Sequence, residues 1–501
     1  RDWDSQRVDV VGGVTIGTLI ARIPKEDRPQ VEPEADFEIV PVARTKSPTI
    51  LGWLVNETER NHAKVVEQMS LDSIGNSMKY VTDWDCWIFY DGGVWKRDLR
   101  GARMHQIVTR YLKALSGRIP GSDAEQAAKA SGWVSSLQNN NGTMGVVRQA
   151  RGEGAFMISL KEMESDNAVL NFENGTYDLD KDEFREHRPD DYCFYTCNTN
   201  YVVGQEAPLW DRVVSEIFAG NSDLAEYVRR IFGYAISGSV SDPIFSIFYG
   251  SGANGKSTIV QTISSLLGDY STNLPSELFS KKDKLHPTYM ASLHNARLAV
   301  VAELEADVTL AEATVKKVTS TDKIEARRMR EDPWEFTPTH TSILCSNHLP
   351  LVKGNDLGIW RRIKTVPFNV DFSNRKDVTI PKRLEAEYAG IACWLIQGYR
   401  DYKAQGGVGT CEAVEKATKE YRESEDWFRQ GAEDLFTAKE GSAVSQSQAY
   451  AEYKRSGGTL GKRKFVKEMG RIGYESSRIY IDGVQVSGFA GITLLTLTRD
   501  F

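Results

Sequence analysis

Cysteine, long apolar runs and positive charge are all in short supply in this 501-residue chain. Six cysteines stand at 86, 193, 197, 345, 393 and 411. Cys193 and Cys197 are close together, but no second Cys or His pair accompanies them. That excludes zinc-ribbon spacing and points to reduced thiols in a cytosol-like compartment. No apolar run approaches the length of a membrane span, and the opening RDWDSQRVDV is not a secretion signal. The expectation is a cytoplasmic protein with no membrane partner. Net charge is −7, so nucleic acid could be met only through local basic clusters. The chain has no internal repeat and no low-complexity tract. Its first residue is Arg1 rather than Met, which predicts a piece of a longer product. The rest of the composition, 41% hydrophobic and 26% charged, is ordinary for a globular protein. The length suits about three domains of ~150 residues each.

The most informative stretch is PIFSIFYGSGANGKST, residues 243–258. An apolar run from Ile244 to Tyr249 stops at Gly250, and a helical pattern starts after Lys256 and Ser257. This is G-x-x-x-x-G-K-[ST] in a strand–loop–helix setting. Gly250, Gly252 and Gly255 carry no Cβ, so the loop that also holds Ala253 and Asn254 can aim its N–H groups at phosphate oxygens. The new helix, with Thr258 in its first turn, turns its positive end toward the same anion. Lys256 is expected to reach the β- and γ-phosphates, and Ser257 to ligate Mg²⁺. The expected cofactors are ATP and Mg²⁺.

Upstream, residues 1–52 are poorly patterned; five prolines among charges between 24 and 48 predict a linker or the remnant of an upstream domain. Residues 53–240 read as an α+β domain. Its features are a helix near Glu57–Met69, a hairpin about Asp91-Gly92-Gly93, helices over 98–150, a strand–turn–strand about Asn174-Gly175 and helices over 209–240. Asp83 and Asp85 form a D-x-D without a third carboxylate in a recognisable setting, so they read as a solvated strand edge.

Downstream, RLAVVAELE (297–305) is a buried-strand run ending in Glu303 and Glu305. Acids at a strand's carboxyl end are what a Walker B strand supplies to Mg²⁺ and the attacking water. THTSILCSNHLP (339–350) is a second such strand ending at Asn347, whose amide could hold that water. GIWRRIKTVPF (358–368) sets Arg361 and Arg362 just before a further strand. In a ring ATPase an arginine here reaches the neighbouring subunit's γ-phosphate.

In that order, GSGANGKST, RLAVVAELE, KKVTSTDKIEARRMREDPWEFTPTHTSILCSNHLP and GIWRRIKTVPF resemble the superfamily-3 helicases. The likeness is strongest to the primase-helicases of phages, phage satellites and poxviruses, and NFENGTYDLDKDEFREHRPDDY resembles the domain preceding the ATPase there. The resemblance covers about residues 80–420. It implies an α/β fold with an AAA+-like P-loop ATPase core over 241–420, a homo-hexameric ring on DNA with an oligomerisation collar before the core, and 3′→5′ unwinding. It also implies Glu303 and Glu305 as Walker B acids (Glu303 with Ser257 on the metal), Asn347 as sensor 1, and Arg361 or Arg362 as arginine finger. One departure is Thr319-Ser320-Thr321-Asp322, where the family often has T-G-G-D. A primase or polymerase partner, a bacterial host cytoplasm for a phage-borne gene, a polymerising primase-helicase and a non-unwinding ATP-dependent initiator or loader are further expectations of the same resemblance.

For DNA contact, IEARRM and WEFTPTHTSIL flank a charged turn, Arg330-Glu331-Asp332-Pro333, and predict a projecting hairpin. Lys316, Lys317, Lys323, Arg327, Arg328 and Arg330 would supply phosphate contacts along a single strand in the pore. Lys316, Lys317 and Arg327 could equally serve the nucleotide or the subunit interface. The tail, 421–501, reads as helix, helix and hairpin, a winged-helix-like DNA-binding domain. Residues 451–480 carry eight Lys or Arg against three Glu. Its second helix presents Lys462, Arg463, Lys464, Lys467 and Arg471 to the duplex at a fork or origin. Replacing Arg328 and Arg330 by Ala should weaken DNA binding and flatten its salt dependence while sparing basal ATP hydrolysis; unchanged affinity in a salt titration would refute the assignment.

Overall fold

The structure, a computed structural model, describes residues 52–495 apart from 57, 59, 120–123, 164–167, 282–286, 302, 306–307, 328–332, 353–356, 376 and 482–483. The segment 1–51, the basic pair Arg328 and Arg330, most of the turn about 330–333, and the Asp482-Gly483 turn therefore lie outside the described residues. The chain divides into two compact units. One holds residues up to 80 and 98–157, the other 81–97 and 158–501.

The first unit is helical: α1 (His62–Leu71), α2 (Ala102–Ser116), α3 (Ala124–Ser136) and α4 (Asn140–Ala150). Asn61 and Asn139 cap α1 and α4 by accepting from the amides of Lys64 and Gly142, which satisfies donors that a helix start leaves open. The apolar stripes meet in a core that includes Val65, Val66, Met69, Val108, Leu112, Leu115 and Val146, each 1% exposed or less.

The second unit starts with the hairpin β1 (Cys86–Asp91) and β2 (Val94–Asp98), whose turn uses positive φ at Gly92 and Gly93. A small antiparallel sheet follows: β3 (Val169–Phe172), β4 (Gly175–Asp178) and β5 (Glu183–Arg185). The turn falls on Glu173-Asn174, one residue earlier than expected. Gly175 is already in the strand, where a Cβ would meet the Arg185 carbonyl at 2.6 Å. Helices α5 (Pro208–Ile217) and α6 (Ser222–Ser237) lead into the central sheet.

That sheet is built from β6 (Phe245–Tyr249), β7 (Ser271–Leu274), β8 (Leu298–Val301), β11 (Thr341–Ser346) and β12 (Ile363–Pro367), in the order β12-β6-β11-β8-β7 and parallel throughout. Helix α7 (Lys256–Leu267) follows β6. Helix α8 (Glu312–Val318) and the antiparallel pair β9 (Ile324–Ala326) and β10 (Trp334–Phe336) fall between β8 and β11. Ile244 and Phe248 join the core on one face, while Phe245 and Ile247 join the core on the other. Both faces are covered, which is why β6 reads as one continuous apolar run. Residues 81–97 and 158–240, expected in a separate 53–240 domain, fall in the same compact unit as this sheet, and Leu170, Phe172, Trp210 and Ile231 share one core with Phe248 and Ile259.

Helix α9 (Tyr388–Gln405) packs on α6, and α10 (Glu412–Ser424) on β12. Where α6 and α9 cross, a Cβ at Gly233 would lie 2.1 Å from the Gly398 carbonyl carbon, and one at Gly398 would lie 2.3 Å from the Arg229 carbonyl oxygen. The tail holds β13 (Phe436–Ser445), α11 (Gln446–Arg455), α12 (Lys462–Arg471), β14 (Ser476–Ile481) and β15 (Val484–Leu494), with sheet order β13-β15-β14 around Phe465, Met469 and Phe489. Strand β13 was not expected: its exposed, irregular middle, with a register shift between Ala438 and Ala443, carries no alternating pattern.

Gly233→Ala should cost about 1–3 kcal/mol, since two helix backbones must separate to admit one methyl group. A melting temperature matching wild type would show that the crossing is looser than described.

Candidate nucleotide site

The carboxyl end of β6 is the natural place for a ligand in a parallel sheet. Tyr249 ends the strand and the loop 250–255 passes into α7, which has no side-chain cap at its first turn. Gly252 (φ +102°), Ala253 (+45°) and Gly255 (+85°) all take left-handed backbone conformations. For Ala253 that conformation is sterically costly and marks a loop held by its surroundings. The anchors are visible. Phe372 N–H donates to Ala253 O (2.7 Å), Phe368 N–H to Tyr249 O (2.8 Å), and the Asn254 side-chain amide to Phe368 O (3.2 Å).

Lys256 is buried at 6% exposure. Its Nζ donates to Gly250 O (2.6 Å), Asn254 Oδ1 (3.0 Å) and Asn347 Oδ1 (2.9 Å). Burial lowers its pKa below that of an ordinary lysine, opposed by nearby negative charge that includes Glu303. Asn347 follows β11, and its N–H donates to Glu303 Oε1 (3.1 Å), just beyond β8. Leu304 is buried while Glu303 and Glu305 are exposed, as alternation beyond a strand requires. Three segments separated by up to about a hundred residues thus meet at one spot: Gly250, Asn254 and Lys256; Glu303; and Asn347. Ser257 is exposed and Thr258 half-buried in the first turn of α7.

The arginine pair lies elsewhere. Ile363 pairs with Phe245 at the start of β6, and β12 runs parallel to it. Arg361 and Arg362 are therefore separated from the loop by a strand of five residues, on the order of 15 Å. Arg361 is exposed in a groove with Trp360, Lys364, Val414, Lys419 and Arg422. Arg362 is turned inward: Nε donates to Thr319 Oγ1 (3.1 Å) and a terminal nitrogen to Gly358 O (2.7 Å).

The basic surfaces divide similarly. Lys317, Lys323 and Arg327 are exposed and Lys316 half-buried; Lys316 and Lys317 stand in the last turn of α8, and Lys323 and Arg327 lie on either side of β9. Lys462, Arg463, Lys464 and Lys467 are exposed on α12, with Lys462 Nζ donating to Ser447 Oγ (3.2 Å). Arg471, expected on the same face, is instead committed to Asp426 through two bonds of 2.6 and 2.7 Å and to Glu468. It fastens α12 to the segment preceding β13. Sequence reasoning also missed Ser346, whose hydroxyl bonds within the Ser346–His348 turn and shapes the backbone that presents Asn347; the Ser-Asn turn chemistry was its signal. Asp83, half of the D-x-D, accepts from Leu160 N–H (2.8 Å), a local structural use.

Two stretches of the chain match known protein families. Residues 67–219 match a family described as D5 N terminal like, and residues 248–362 match a family of unknown function, DUF5906. "Putative helicase L207/L206" of Acanthamoeba polyphaga mimivirus is 25% identical over 388 residues, covering 71% of this chain and 40% of the relative. "Putative helicase 184R" of Invertebrate iridescent virus 6 is 27% identical over 229 residues, 43% of this chain and 24% of the relative. "Putative primase C962R" of African swine fever virus is 20% identical over 323 residues, 58% and 33% respectively. The chain is thus similar to parts of viral proteins named as helicases and primases. The chain spans 40% or less of the length of these three relatives. The apo structure of the NrS-1 C terminal region shares the fold, with a TM-score of 0.52 at 9% identity over 86% of this chain and 99% of that one. No helix among the described residues is long and apolar enough to cross a membrane.

Gly255→Ala should distort this loop, because φ is +85° and the new Cβ would lie 2.5 Å from Ile217 Cδ1. The left-handed conformation alone costs roughly 1–2 kcal/mol; an unchanged melting temperature would count against the loop geometry.

Proposed function

We propose that this chain is an ATP- and Mg²⁺-dependent motor of a DNA helicase, working as a ring, by resemblance a hexamer moving 3′→5′. The observation that carries the reading is the meeting of Lys256, Asn347 and Glu303 at the carboxyl ends of β6, β11 and β8. The residues fit a triphosphate. Lys256 spends its three donors on loop and asparagine oxygens whose places phosphate oxygens could take, and the first turn of α7 lacks a side-chain cap. Ser257 and Glu303 would hold Mg²⁺, which when bound neutralises charge on the β- and γ-phosphates. Gly250, Gly252, Ala253, Asn254, Gly255 and Thr258 cradle the anion. Asn347 orients the attacking water, and Glu303 or Glu305 accepts its proton.

Arg361 is the better arginine finger. A strand's length separates it from the loop of its own chain, so it can serve only a nucleotide held by an adjacent copy, and it is the member of the pair that faces solvent. Lys316, Lys317, Lys323, Arg327, Arg328 and Arg330 are assigned to a strand in the pore, Lys462, Arg463 and Lys464 to duplex. For the tail, a strand, two helices and a hairpin that closes the sheet support a winged-helix reading.

A strand-displacement assay on a forked duplex tests the reading. Wild type should unwind with ATP and Mg²⁺, Lys256→Ala should bind DNA without unwinding, and Arg361→Ala should lose hydrolysis by about 10³-fold or more while still binding ATP. DNA binding without unwinding by wild type would instead identify a loader, and primer synthesis would identify the polymerising alternative.

A further inference from the structure

Thr319 begins the segment where the sequence departs from the family pattern, and Arg362 is the arginine left over once Arg361 faces the groove. The two touch. Thr319 is 5% exposed, caps the end of α8 by donating from Oγ1 to Val315 O (2.7 Å), and accepts from Arg362 Nε on the same oxygen (3.1 Å). A second arm of the same guanidinium holds Gly358 O (2.7 Å), in the helical turn Leu357–Trp360 from which Arg361 follows directly. The Arg362 backbone carbonyl accepts from Phe245 N–H (2.7 Å), at the start of the strand that ends in the phosphate loop. On the other side, only Ser320–Lys323 separate Thr319 from β9, one arm of the β9–β10 pair. That short link is exposed from Thr321 onward and internally braced, with Ser320 Oγ donating to Asp322 (2.6 Å) and accepting from Asp322 N–H (3.1 Å).

We infer that Arg362 is a positioning residue that couples the β9–β10 hairpin to Arg361 through the Thr319 hydroxyl. The inference rests on the motor reading above. Its physical content is geometric. A planar guanidinium with fixed forks can hold two acceptors at a set separation, so a shift of the hairpin base is passed to the turn that carries Arg361 rather than absorbed by a loop. Two glycines, usual at 320 and 321 in the family pattern, would leave that link slack. Ser320 and Thr321 with the Ser320–Asp322 bracing make it stiff, which gives the departure from T-G-G-D a role. Engagement of DNA by the hairpin would then alter the placement of Arg361 against the adjacent copy's nucleotide, and with it the rate of hydrolysis.

The test compares full-length wild type with Thr319→Val, which keeps the shape and removes the hydroxyl, and with Thr319→Ser, which restores it. The readouts are ATP hydrolysis without and with single-stranded DNA, DNA affinity, and melting temperature. The expected result is that Thr319→Val keeps its basal rate and DNA Kd within about twofold, loses at least fivefold of the DNA stimulation, and that Thr319→Ser recovers it. Arg362→Lys, which keeps the charge without the fork, should lose stimulation in the same way should Thr319→Val fail to fold. Full stimulation in Thr319→Val or Arg362→Lys would overturn the inference. So would a parallel fall of basal and stimulated rates, which marks simple structural support, or weakened DNA binding, which marks direct contact. A wild type showing no hydrolysis, with Lys256→Ala indistinguishable from it, would overturn the motor reading instead.

Discussion

A lysine ammonium buried beneath a turn of backbone is the constraint on which the rest of the site depends. Removing such a charge from water costs several kcal/mol unless oxygens surround it. Around Lys256 those oxygens come from Gly250, Asn254 and Asn347. Each imposes a demand in turn. Gly250 must let its carbonyl bend inward, Asn254 must be held by the Phe368 carbonyl, and Asn347 must stand at the end of β11, where its own amide is taken by Glu303. An arrangement that spends all three lysine donors on protein oxygens is also one in which a polyanion can displace them as a set. The lowered pKa of Lys256 expresses the same balance: burial favours the neutral amine and neighbouring negative charge opposes it.

The direction of the sheet decides the rest. With all five strands parallel, everything following β6, β8 and β11 collects at one edge, and everything preceding β12 collects at the other. Lys256, Glu303 and Asn347 fall on the first edge and the arginine pair on the second. That separation keeps Arg361 away from the phosphate loop of its own chain, and an intermolecular role is the one the proposed ring requires. Cores on both faces of the sheet hold this polarity rigid, and the close crossing of α6 and α9 at Gly233 and Gly398 locks one of those faces.

Several features were legible in the chain because their signals are local. Glycines at 250, 252 and 255 announce a loop with unusual φ, the runs at 244–249 and 298–301 announce strands covered on both faces, and acid or amide at the strand ends follows from register alone. The β9–β10 arms were anticipated, although their pairing extends over only three residues each. The failures were equally specific. Strand β13 hides because its middle is exposed and its register slips. Arg471 looked like its basic neighbours on α12, yet a helix turn brings it over Asp426, 45 residues earlier. Residues 158–240 looked separate from the core, yet their aromatic and aliphatic side chains fill it.

By itself the sequence determined where backbone had to bend, which runs had to be covered on both faces, and which residue types waited at the strand ends, since these follow from φ preferences and from side-chain period. Only the tertiary structure decided which of two adjacent arginines faces outward and which is captured by Thr319, and that Glu303 and Asn347 hold one another beside Lys256. Those outcomes depend on crossover connections between strands and on packing between residues far apart in the chain, and neighbouring positions carry no trace of them.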